Sequence, residues 1–387
     1  MRYRTRAWIC VLAVLFQARL YAGSGAHNAV DEALFREAGR IVQSLDDRLL
    51  AAQVIMTGID RNVLDSATEN LLHAVPAGAI MLFRYNLAAS AEQVSLFLQG
   101  VSALTTAGTG GIAPFIAVDH EGGSVYRFSG GVVSRLPAPG SYGEAAKTRD
   151  AEAVLREVEA DAKRSGEELR AIGVSVNLAP VAEVLTEENR AFLDDRSYGP
   201  NARFTTTAAA AFVRGMEAAG VACAIKHFPG HAGGDPHKRT VIMNGDRESL
   251  ARLVEPFAEL IRRRPAMVMV SHALVPAWDK ERNASLSPAV IGQWLREELG
   301  YEGIVLADDF SMAALAGRNP ETSVVEALNA GADMVMAWPL NLRKIHQAIF
   351  SALNEGRLDR SRLEDAAKRI IAEKLRRGLV PFSQEEG

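Results

Sequence analysis

The chain has 387 residues, of which 48% are hydrophobic, and its 43 basic and 47 acidic residues give a formal net charge of -4. This length and composition allow one large globular domain or two medium ones with a sizeable core. Without a basic excess or a Lys/Arg-rich tract, nucleic acid is not expected as a partner.

The N-terminus has the layout of a secretory signal peptide. Three arginines within the first six residues precede an apolar stretch, Trp8–Phe16, and cleavage is predicted after Ala22. The apolar stretch is well short of the ~20 residues that a membrane-spanning helix needs. We therefore expect residues 1–22 to be removed, residues 23–44 to lead into the folded domain, and the protein to be periplasmic or secreted, without a stable membrane anchor.

Two cysteines occur, and Cys10 lies within the predicted signal peptide. Cys223 would then stand alone in the mature chain, which excludes an intramolecular disulfide. Cys10 is not placed at the first mature position, as the acylated cysteine of a lipoprotein would be. Cys223 lies in an apolar run, so we expect it in the core.

Short apolar runs alternate with longer amphipathic stretches along most of the chain, a pattern typical of βα units around a parallel sheet. Eight apolar runs occur, and eight strands close a barrel. We predict an α/β fold, a single TIM-type (β/α)8 barrel over residues 45–380, with a tail at 381–387. The predicted strands are Gln53–Thr57, Ala79–Phe83, Pro114–Val118, Val174–Leu178, Cys223–Ile225, Met267–Val270, Ile304–Ala307 and Met334–Ala337.

Amphipathic stretches between these runs predict helices. Asp246 and Ser287, the latter followed by Pro288, are typical helix start signals. The predicted helices include Asp150–Ile172, Ala202–Ala219, Arg247–Arg264, Pro288–Leu299, Thr322–Ala330 and Arg360–Arg377.

Polar residues follow five of the eight predicted strands. The carboxyl ends of barrel strands meet at one face, where barrel active sites lie. Five polar strand ends on one face therefore indicate a ligand site rather than packing. They are Asp119-His120-Glu121 after the third strand, Asn177 at the fourth, Lys226-His227 at the fifth, Ser271-His272 at the sixth and Asp308-Asp309 at the seventh.

The segment after the fifth strand, KHFPGH at 226–231, continues into a loop where Asp235 and His237 stand two residues apart. A carboxylate beside an imidazole orients it and favours its protonated form, which suits a general acid. A turn before Pro236 with a solvated histidine would give the same spacing. Spacing alone leaves both readings open. The remaining histidines, His27, His73 and His346, are expected at the surface.

Two adjacent carboxylates, Asp308 and Asp309, follow the seventh strand and must point in different directions if strand geometry persists. One can face the barrel mouth, where it could attack the anomeric carbon of a sugar or stabilise an oxocarbenium ion. The other can be held by the backbone or cap the next helix. These residues alone do not decide between the two assignments.

The chain resembles glycoside hydrolase family 3, specifically its single-domain β-N-acetylhexosaminidase branch, the type that acts on peptidoglycan fragments. The resemblance spans roughly residues 45 to 380, with six motifs in family order. These are AVDHEGGSVYRF at 117–128, NLAPVAEV at 177–184, DDRSYG at 194–199, KHFPGH at 226–231, DPH at 235–237 and ADDFSM at 307–312.

The resemblance implies a retaining mechanism with Asp308 as nucleophile, His237 as acid/base and Asp235 as the partner of His237. We expect no metal ion or other cofactor, and a monomer that acts on a GlcNAc-containing glycan. The residues that the resemblance assigns to sugar binding are Asp119, Arg127, Arg196, Lys226 and His227.

The chain departs from the family pattern at several positions. The loop before the Asp-X-His dyad is about two residues shorter than usual, with Ala232 where glycine is usual and Pro236 inside the dyad. His120 replaces a common glutamine and Glu183 a common aspartate, changes expected to affect only the edge of the site. The chain is too short for the second α/β domain of the two-domain members, which favours the histidine-dependent branch over the β-glucosidases.

These observations predict a retaining exo-β-N-acetylglucosaminidase that works through a covalent glycosyl-Asp intermediate. One alternative is a phosphorylase with the same residues, since a neutral histidine would not repel phosphate as a carboxylate would. A second is a non-catalytic exported sugar-binding protein, in which the short loop has removed acid/base function. A metal-dependent hydrolase is a weaker reading, because no HExxH or similar ligand spacing occurs.

Overall fold

A computed structural model describes residues 24–231, 234–312 and 315–382, with side chains from residue 29 onward. The predicted signal peptide, and the cleavage site within it, lie outside these ranges. Among the described residues, no helix combines the length and the hydropathy that crossing a bilayer requires.

Eight parallel strands form one sheet in the order β10-β1-β2-β3-β4-β5-β6-β9. A parallel bridge between Leu306 and Met334 joins the last strand to the first, so the sheet closes. The predicted (β/α)8 barrel is confirmed. Its strands are β1 (Ile55–Thr57), β2 (Ala79–Leu82), β3 (Phe115–Val118), β4 (Val176–Asn177), β5 (Ala222–Phe228), β6 (Met267–Val270), β9 (Ile304–Ala307) and β10 (Val335–Ala337).

Strand β5 is longer than predicted. All seven of its residues are buried, and Phe228 still pairs with Val270 of β6. Lys226 and His227 therefore lie within the strand rather than after it. Strands are predicted from runs of apolar residues, and the buried Lys226 interrupts such a run. The predicted strand therefore ends at Ile225, three residues before the end of β5.

The helices cover the outside of the barrel. The predicted helix over 247–264 is two helices that meet at Val254, with Pro256 in the first turn of the second. Proline is tolerated there but not in a helix interior. The larger helices are Ser24–Ser44, Ala91–Gly108, Ala151–Ala171, Ala202–Ala218, Ala289–Glu298, Pro320–Ala330, Leu342–Asn354 and Arg360–Arg376; shorter ones are Asp47–Gln53, Ser66–Ala74, Pro139–Ala145, Arg190–Leu193, Arg247–Leu253 and Glu255–Ile261.

A hairpin between β6 and β9 has no counterpart in the prediction. It pairs β7 (Leu274–Val275) with β8 (Asp279–Asn283) in antiparallel fashion. Strand β8 reads Asp-Lys-Glu-Arg-Asn, and such polar residues do not predict a strand. The hairpin follows β6 and so lies on the mouth side of the barrel.

Two expectations about single residues have different outcomes. Cys223 is a free thiol buried in the core, as predicted, and burial raises its pKa well above the usual value. His346 was expected at the surface and is buried; its Nε2–H donates to the carbonyl of Arg48 at 2.8 Å. His346 is buried because it lies on the inward-facing, apolar face of the helix Leu342–Asn354.

A buried lysine, Lys374, lies on the helix that closes the chain. Its Nζ donates to Oε1 of Gln53 at 2.8 Å and lies 5.4 Å from the centre of the Phe115 ring. Burial lowers the pKa of Lys374 from its usual 10.5 to about 7. Protonation therefore favours the unfolded chain, and the resulting destabilisation grows as pH falls from about 10.5 to about 7 and then levels off.

We expect Lys374→Met to be more stable than the wild type, with a larger gain at pH 6 than at pH 9. The shifted pKa of Lys374 predicts a difference of about 2 to 3 kcal/mol between the two gains. Urea unfolding at both pH values measures it. Lys344→Met, which removes an exposed lysine, is the control. A gain that is equal at both pH values would show that the buried ammonium is not its source.

Candidate functional site

Five charged side chains form a connected network at the barrel mouth. Nζ of Lys226 lies 2.7 Å from Oδ1 of Asp119 and 2.6 Å from Oε1 of Glu121. Arg127 Nη2 donates to Asp119 Oδ2 at 3.2 Å. Arg196 donates twice to the carboxylate of Glu121, at 2.8 and 2.9 Å. The structure thus brings four of the residues predicted to bind sugar into one cluster.

Glu121 connects this cluster, although the sequence analysis gave it no role. Burial alone would raise its pKa, but Lys226 and Arg196 hold the pKa of Glu121 well below its usual range. Burial likewise opposes the charge of Lys226, and Asp119 and Glu121 nonetheless raise the pKa of Lys226. Glu121 and Lys226 are therefore both charged at neutral pH. The position of Glu121 two residues after Asp119 in the same motif is the available signal.

Within the network, the side chains differ in their access to a ligand. Asp119 and Arg127 keep 16% and 32% of their side-chain surface exposed, whereas Lys226 and Glu121 keep 3% and 1%. Arg196, at 15%, is engaged along its Nε–Nη2 edge by Glu121. Asp119 and Arg127 are thus the most accessible of these groups, and Glu121 positions the cations around them.

A second buried carboxylate, Glu183, holds two histidines. Its Oε1 lies 2.8 Å from Nδ1 of His227 and 3.1 Å from Nδ1 of His231, and its Oε2 accepts the His231 backbone N–H at 2.6 Å. Burial would raise the pKa of Glu183, but the two histidines hold it well below its usual range. Glu183 was expected at the edge of the site, and it is instead central to the positions of both rings.

These contacts set the protonation of His227. Burial lowers its pKa to about 4, so the ring is neutral at pH 7. Since an ionised carboxylate only accepts hydrogen bonds, Nδ1 carries the proton and Nε2 is left as an acceptor. His227 can therefore accept a hydrogen bond from a ligand hydroxyl.

Glu183, His227 and His231 also offer ligand atoms within 4.8 Å of one another. Two imidazoles and one carboxylate are a donor set that Zn²⁺ accepts. The Nδ1 atoms and the carboxylate, however, already bind each other, so the hydrogen bonds account for the cluster. No step of the proposed reaction uses a metal ion at these three residues.

Asp308 and Asp309 have different surroundings, as predicted. The carboxylate of Asp309 accepts hydrogen bonds from Trp338 Nε1, Ser311 N and Ser311 Oγ, each at 2.8 Å. From the described residues, Asp308 accepts one hydrogen bond, donated by the backbone N–H of Asp309 at 2.8 Å. Asp309 therefore holds the loop and the indole in place, while Asp308 keeps most of its acceptor capacity for a ligand.

Asp308 is ionised at neutral pH. Burial would raise its pKa, but the neighbouring His227 and His272 outweigh that effect, and the pKa of Asp308 lies below its usual value. His272 is fixed, because its Nε2 donates to the carbonyl of Asp309 at 2.9 Å and its Nδ1 accepts from Ser285 Oγ at 2.6 Å. Both nitrogens of His272 serve internal contacts, which makes it a packing residue beside the site.

The predicted dyad is formed. Asp235 Oδ1 lies 2.9 Å from Nδ1 of His237 and accepts the backbone N–H of the same residue at 3.0 Å. Burial opposes ionisation of Asp235, but the bonds from His237 and Lys238 lower its pKa. The His237 side chain is 63% exposed. With Nδ1 occupied by Asp235, Nε2 is the atom that can exchange a proton with a ligand.

Phe192, which the sequence analysis did not select, lies between the dyad and the fixed histidines. Its ring centre is 5.9 Å from that of His237, 5.0 Å from His231 and 6.4 Å from His227. The Arg196 guanidinium lies 5.2 Å over the same ring. A single aromatic residue ahead of the DDRSYG motif carries no spacing signal, so only the fold reveals these contacts.

Comparisons with known proteins identify relatives of this chain. The chain is 37% identical over 276 residues to Beta-hexosaminidase of Methylococcus capsulatus, covering 69% of this chain and 77% of that protein. It is 29% identical over 327 residues to Beta-hexosaminidase A of Pseudoalteromonas piscicida, covering 78% of this chain and 54% of that protein. The chain thus spans about half the length of the Pseudoalteromonas relative.

A solved structure has the same fold. A glycoside hydrolase family 3 beta-N-acetylglucosaminidase from Paenibacillus sp. str. FPU-7 matches with a TM-score of 0.80 and 30% identity, over 89% of this chain and 65% of that one. Residues 45–372 match the family model named Glycosyl hydrolase family 3 N terminal domain, a range that contains every predicted site residue. The chain therefore belongs to glycoside hydrolase family 3.

Proposed function

We propose that this glycoside hydrolase is a retaining exo-β-N-acetylglucosaminidase that removes terminal β-linked GlcNAc. The observation that carries the proposal is Asp308, a partly buried, ionised carboxylate with spare acceptor capacity at a barrel mouth that also holds the Asp235–His237 dyad. The relatives named as hexosaminidases and as a beta-N-acetylglucosaminidase support the choice of sugar.

In the first step, an Asp308 carboxylate oxygen attacks the anomeric carbon of the terminal GlcNAc. The bond from that carbon to the leaving-group oxygen breaks, and the oxygen takes a proton from Nε2 of His237. Asp235 stabilises the doubly protonated imidazole through Nδ1 at 2.9 Å. The product of this step is a glycosyl ester on Asp308.

In the second step, His237 removes a proton from a water molecule, and the water oxygen attacks the same anomeric carbon. The ester bond to Asp308 breaks, and the carboxylate is regenerated. Two displacements at one carbon return the β-configuration, so GlcNAc leaves with retention. One histidine serves as the acid in the first step and as the base in the second. The proton that His237 gives up in the first step is replaced by the proton that it takes from water in the second.

The charged network accounts for recognition of a chain end. We assign Asp119, Arg127 and Lys226 to the hydroxyls of the terminal sugar, since ionised groups make strong, directional hydrogen bonds. His227 Nε2 adds an acceptor, and Arg196 with Glu121 fixes the position of Lys226. The interior of a barrel is packed, so substrate enters only from the mouth.

Release of p-nitrophenol from p-nitrophenyl β-N-acetylglucosaminide, with and without phosphate, tests the proposal. A hydrolase releases free GlcNAc in both conditions, whereas a phosphorylase forms a sugar 1-phosphate when phosphate is supplied. Tight binding of the glycan by the folded protein without any release would support the sugar-binding alternative and contradict the proposal.

Phe192→Ala should weaken acid catalysis specifically. Removing the ring leaves His237 without its packing partner, so we expect kcat/KM for N,N′-diacetylchitobiose, whose leaving group needs a proton, to fall about tenfold. For p-nitrophenyl β-N-acetylglucosaminide, whose leaving group needs little protonation, we expect less than about a threefold change in kcat/KM. Steady-state kinetics on both substrates measure the two effects.

Phe350→Ala is the matched control for Phe192→Ala. Phe350 is also a half-buried ring, with the guanidinium of Arg48 4.4 Å from its centre, but it lies on the outer helix Leu342–Asn354. This variant should leave the ratio of the two kcat/KM values unchanged. Equal losses on both substrates for Phe192→Ala would assign Phe192 to general packing instead of the dyad.

We also propose that the protein acts as a monomer outside the cytoplasm. The arginines and apolar stretch of the first 22 residues support export. N-terminal sequencing of the protein recovered from the periplasm or medium should begin after Ala22, and light scattering should give a single-chain mass. An intact N-terminus in the cytoplasmic fraction would overturn the proposed location.

A further inference from the structure

Seven large hydrophobic side chains are exposed in the part of the chain that the structure describes, and three of them lie on loops that follow neighbouring strands. Val63 follows β1, Tyr85 follows β2 and Leu340 follows β10, with exposures of 55%, 56% and 98%. The three strands are neighbours in the sheet, in the order β10-β1-β2. These side chains, termed the apolar rim, therefore occupy one sector of the barrel mouth.

Hydrogen bonds and ring contacts join the loops that carry the rim. Asn86 Nδ2 donates to the carbonyls of Ile59 and Arg61 at 2.6 and 2.8 Å, which ties the loop after β1 to the loop after β2. Phe83 and Trp338 pack edge to face at 5.2 Å, which ties the loop after β2 to the loop after β10. The rim is thus carried by loops that are fixed to one another.

The rim is connected to the Asp308–Asp309 pair, of which Asp308 is the proposed nucleophile. Trp338 Nε1 donates to Asp309, the neighbour of Asp308, at 2.8 Å. Phe83 packs on Trp338, and Tyr85 stacks on Phe83 with ring centres 5.5 Å apart and an angle of 13° between planes. A row of three rings therefore runs from the carboxylates to the exposed Tyr85. A patch of this kind beside a pocket is typical of a ligand surface.

We infer that the apolar rim is the subsite for the second sugar of a β-linked glycan, the one that leaves when terminal GlcNAc is removed. The inference rests on the proposed exo activity. With the terminal sugar held by charged groups inside the mouth, the rest of the glycan has to lie outside it. A pyranose ring presents apolar C–H faces, which suit an aromatic platform such as Tyr85 better than a charged surface.

Two substrates whose leaving groups both need protonation isolate this contact. Methyl β-N-acetylglucosaminide has no second ring, whereas N,N′-diacetylchitobiose has one. For the wild type we expect a higher kcat/KM on the disaccharide. In Tyr85→Ala and Leu340→Ser we expect kcat/KM for the disaccharide to fall about tenfold, a loss of about 1.4 kcal/mol, with the methyl glycoside unchanged.

Leu96→Ser is the matched control, since Leu96 is also exposed, at 61%, but lies on the outer helix Ala91–Gly108. It should leave both substrates unaffected. Rim variants that keep the wild-type preference, or that lose both activities equally, would overturn the inference. If the wild type cleaves neither substrate, the proposed function fails. If it cleaves both without preference, only the proposed subsite is overturned.

Discussion

Asp308→Asn should lower kcat for p-nitrophenyl β-N-acetylglucosaminide by about four orders of magnitude or more, because it removes the nucleophile. The amide keeps the shape of the side chain, and its oxygen can still accept the Asp309 backbone N–H, so the fold should be retained. The loss therefore reports on the carboxylate charge. Kinetics at enzyme concentrations high enough to detect residual turnover, together with circular dichroism, measure it.

Asp309→Asn is the control within the same pair. The Asp309 carboxylate holds Trp338 and Ser311, and an amide oxygen can still accept such bonds. We expect a loss at least about a hundredfold smaller than that of Asp308→Asn. A larger loss for Asp309→Asn than for Asp308→Asn would reverse the assignment of the nucleophile.

His237→Ala should separate the two chemical steps. p-Nitrophenolate leaves without a proton, so formation of the glycosyl ester should remain fast, while its hydrolysis should slow about 10² to 10³-fold for want of a base. The expected result is a burst of p-nitrophenol equal to the enzyme concentration, followed by slow release. On N,N′-diacetylchitobiose, where the acid is needed as well, the first step should also fail.

Azide tests the role of His237 as the base of the second step, because azide can replace water as the nucleophile and needs no base. It should restore release of p-nitrophenol in His237→Ala and yield the β-glycosyl azide. Lys238→Ala, which removes the exposed neighbour that also contacts Asp235, should show neither burst nor azide effect. Equal slowing of p-nitrophenyl and disaccharide substrates, without a burst, would remove His237 from the acid/base role.

The barrel could be predicted because buried parallel strands appear as short apolar runs, and all eight runs are strands. The order of these strands then predicts Asp119, Lys226 and Asp308 at one mouth of the barrel. The hairpin formed by Leu274–Val275 and Asp279–Asn283 could not be predicted, since its second strand is polar and is held by tertiary contacts.

The site was predictable where residue type and strand position coincide. The roles of Glu121 and Glu183 could not be predicted, because they depend on the partners that the fold brings to them. Glu121 binds Lys226 and Arg196, and Glu183 binds His227 and His231. Such pairings join residues distant in the chain, and a linear pattern does not reveal them. Phe192 and the apolar rim depend likewise on which loops meet at the mouth.

Proton NMR of the first sugar released tests the central claim most directly. If Asp308 forms a covalent intermediate, hydrolysis of p-nitrophenyl β-N-acetylglucosaminide should first yield the β-anomer of GlcNAc, with the α-anomer appearing later through mutarotation. The α-anomer as the first product would mean a single displacement by water, which would contradict the assigned roles of both Asp308 and His237.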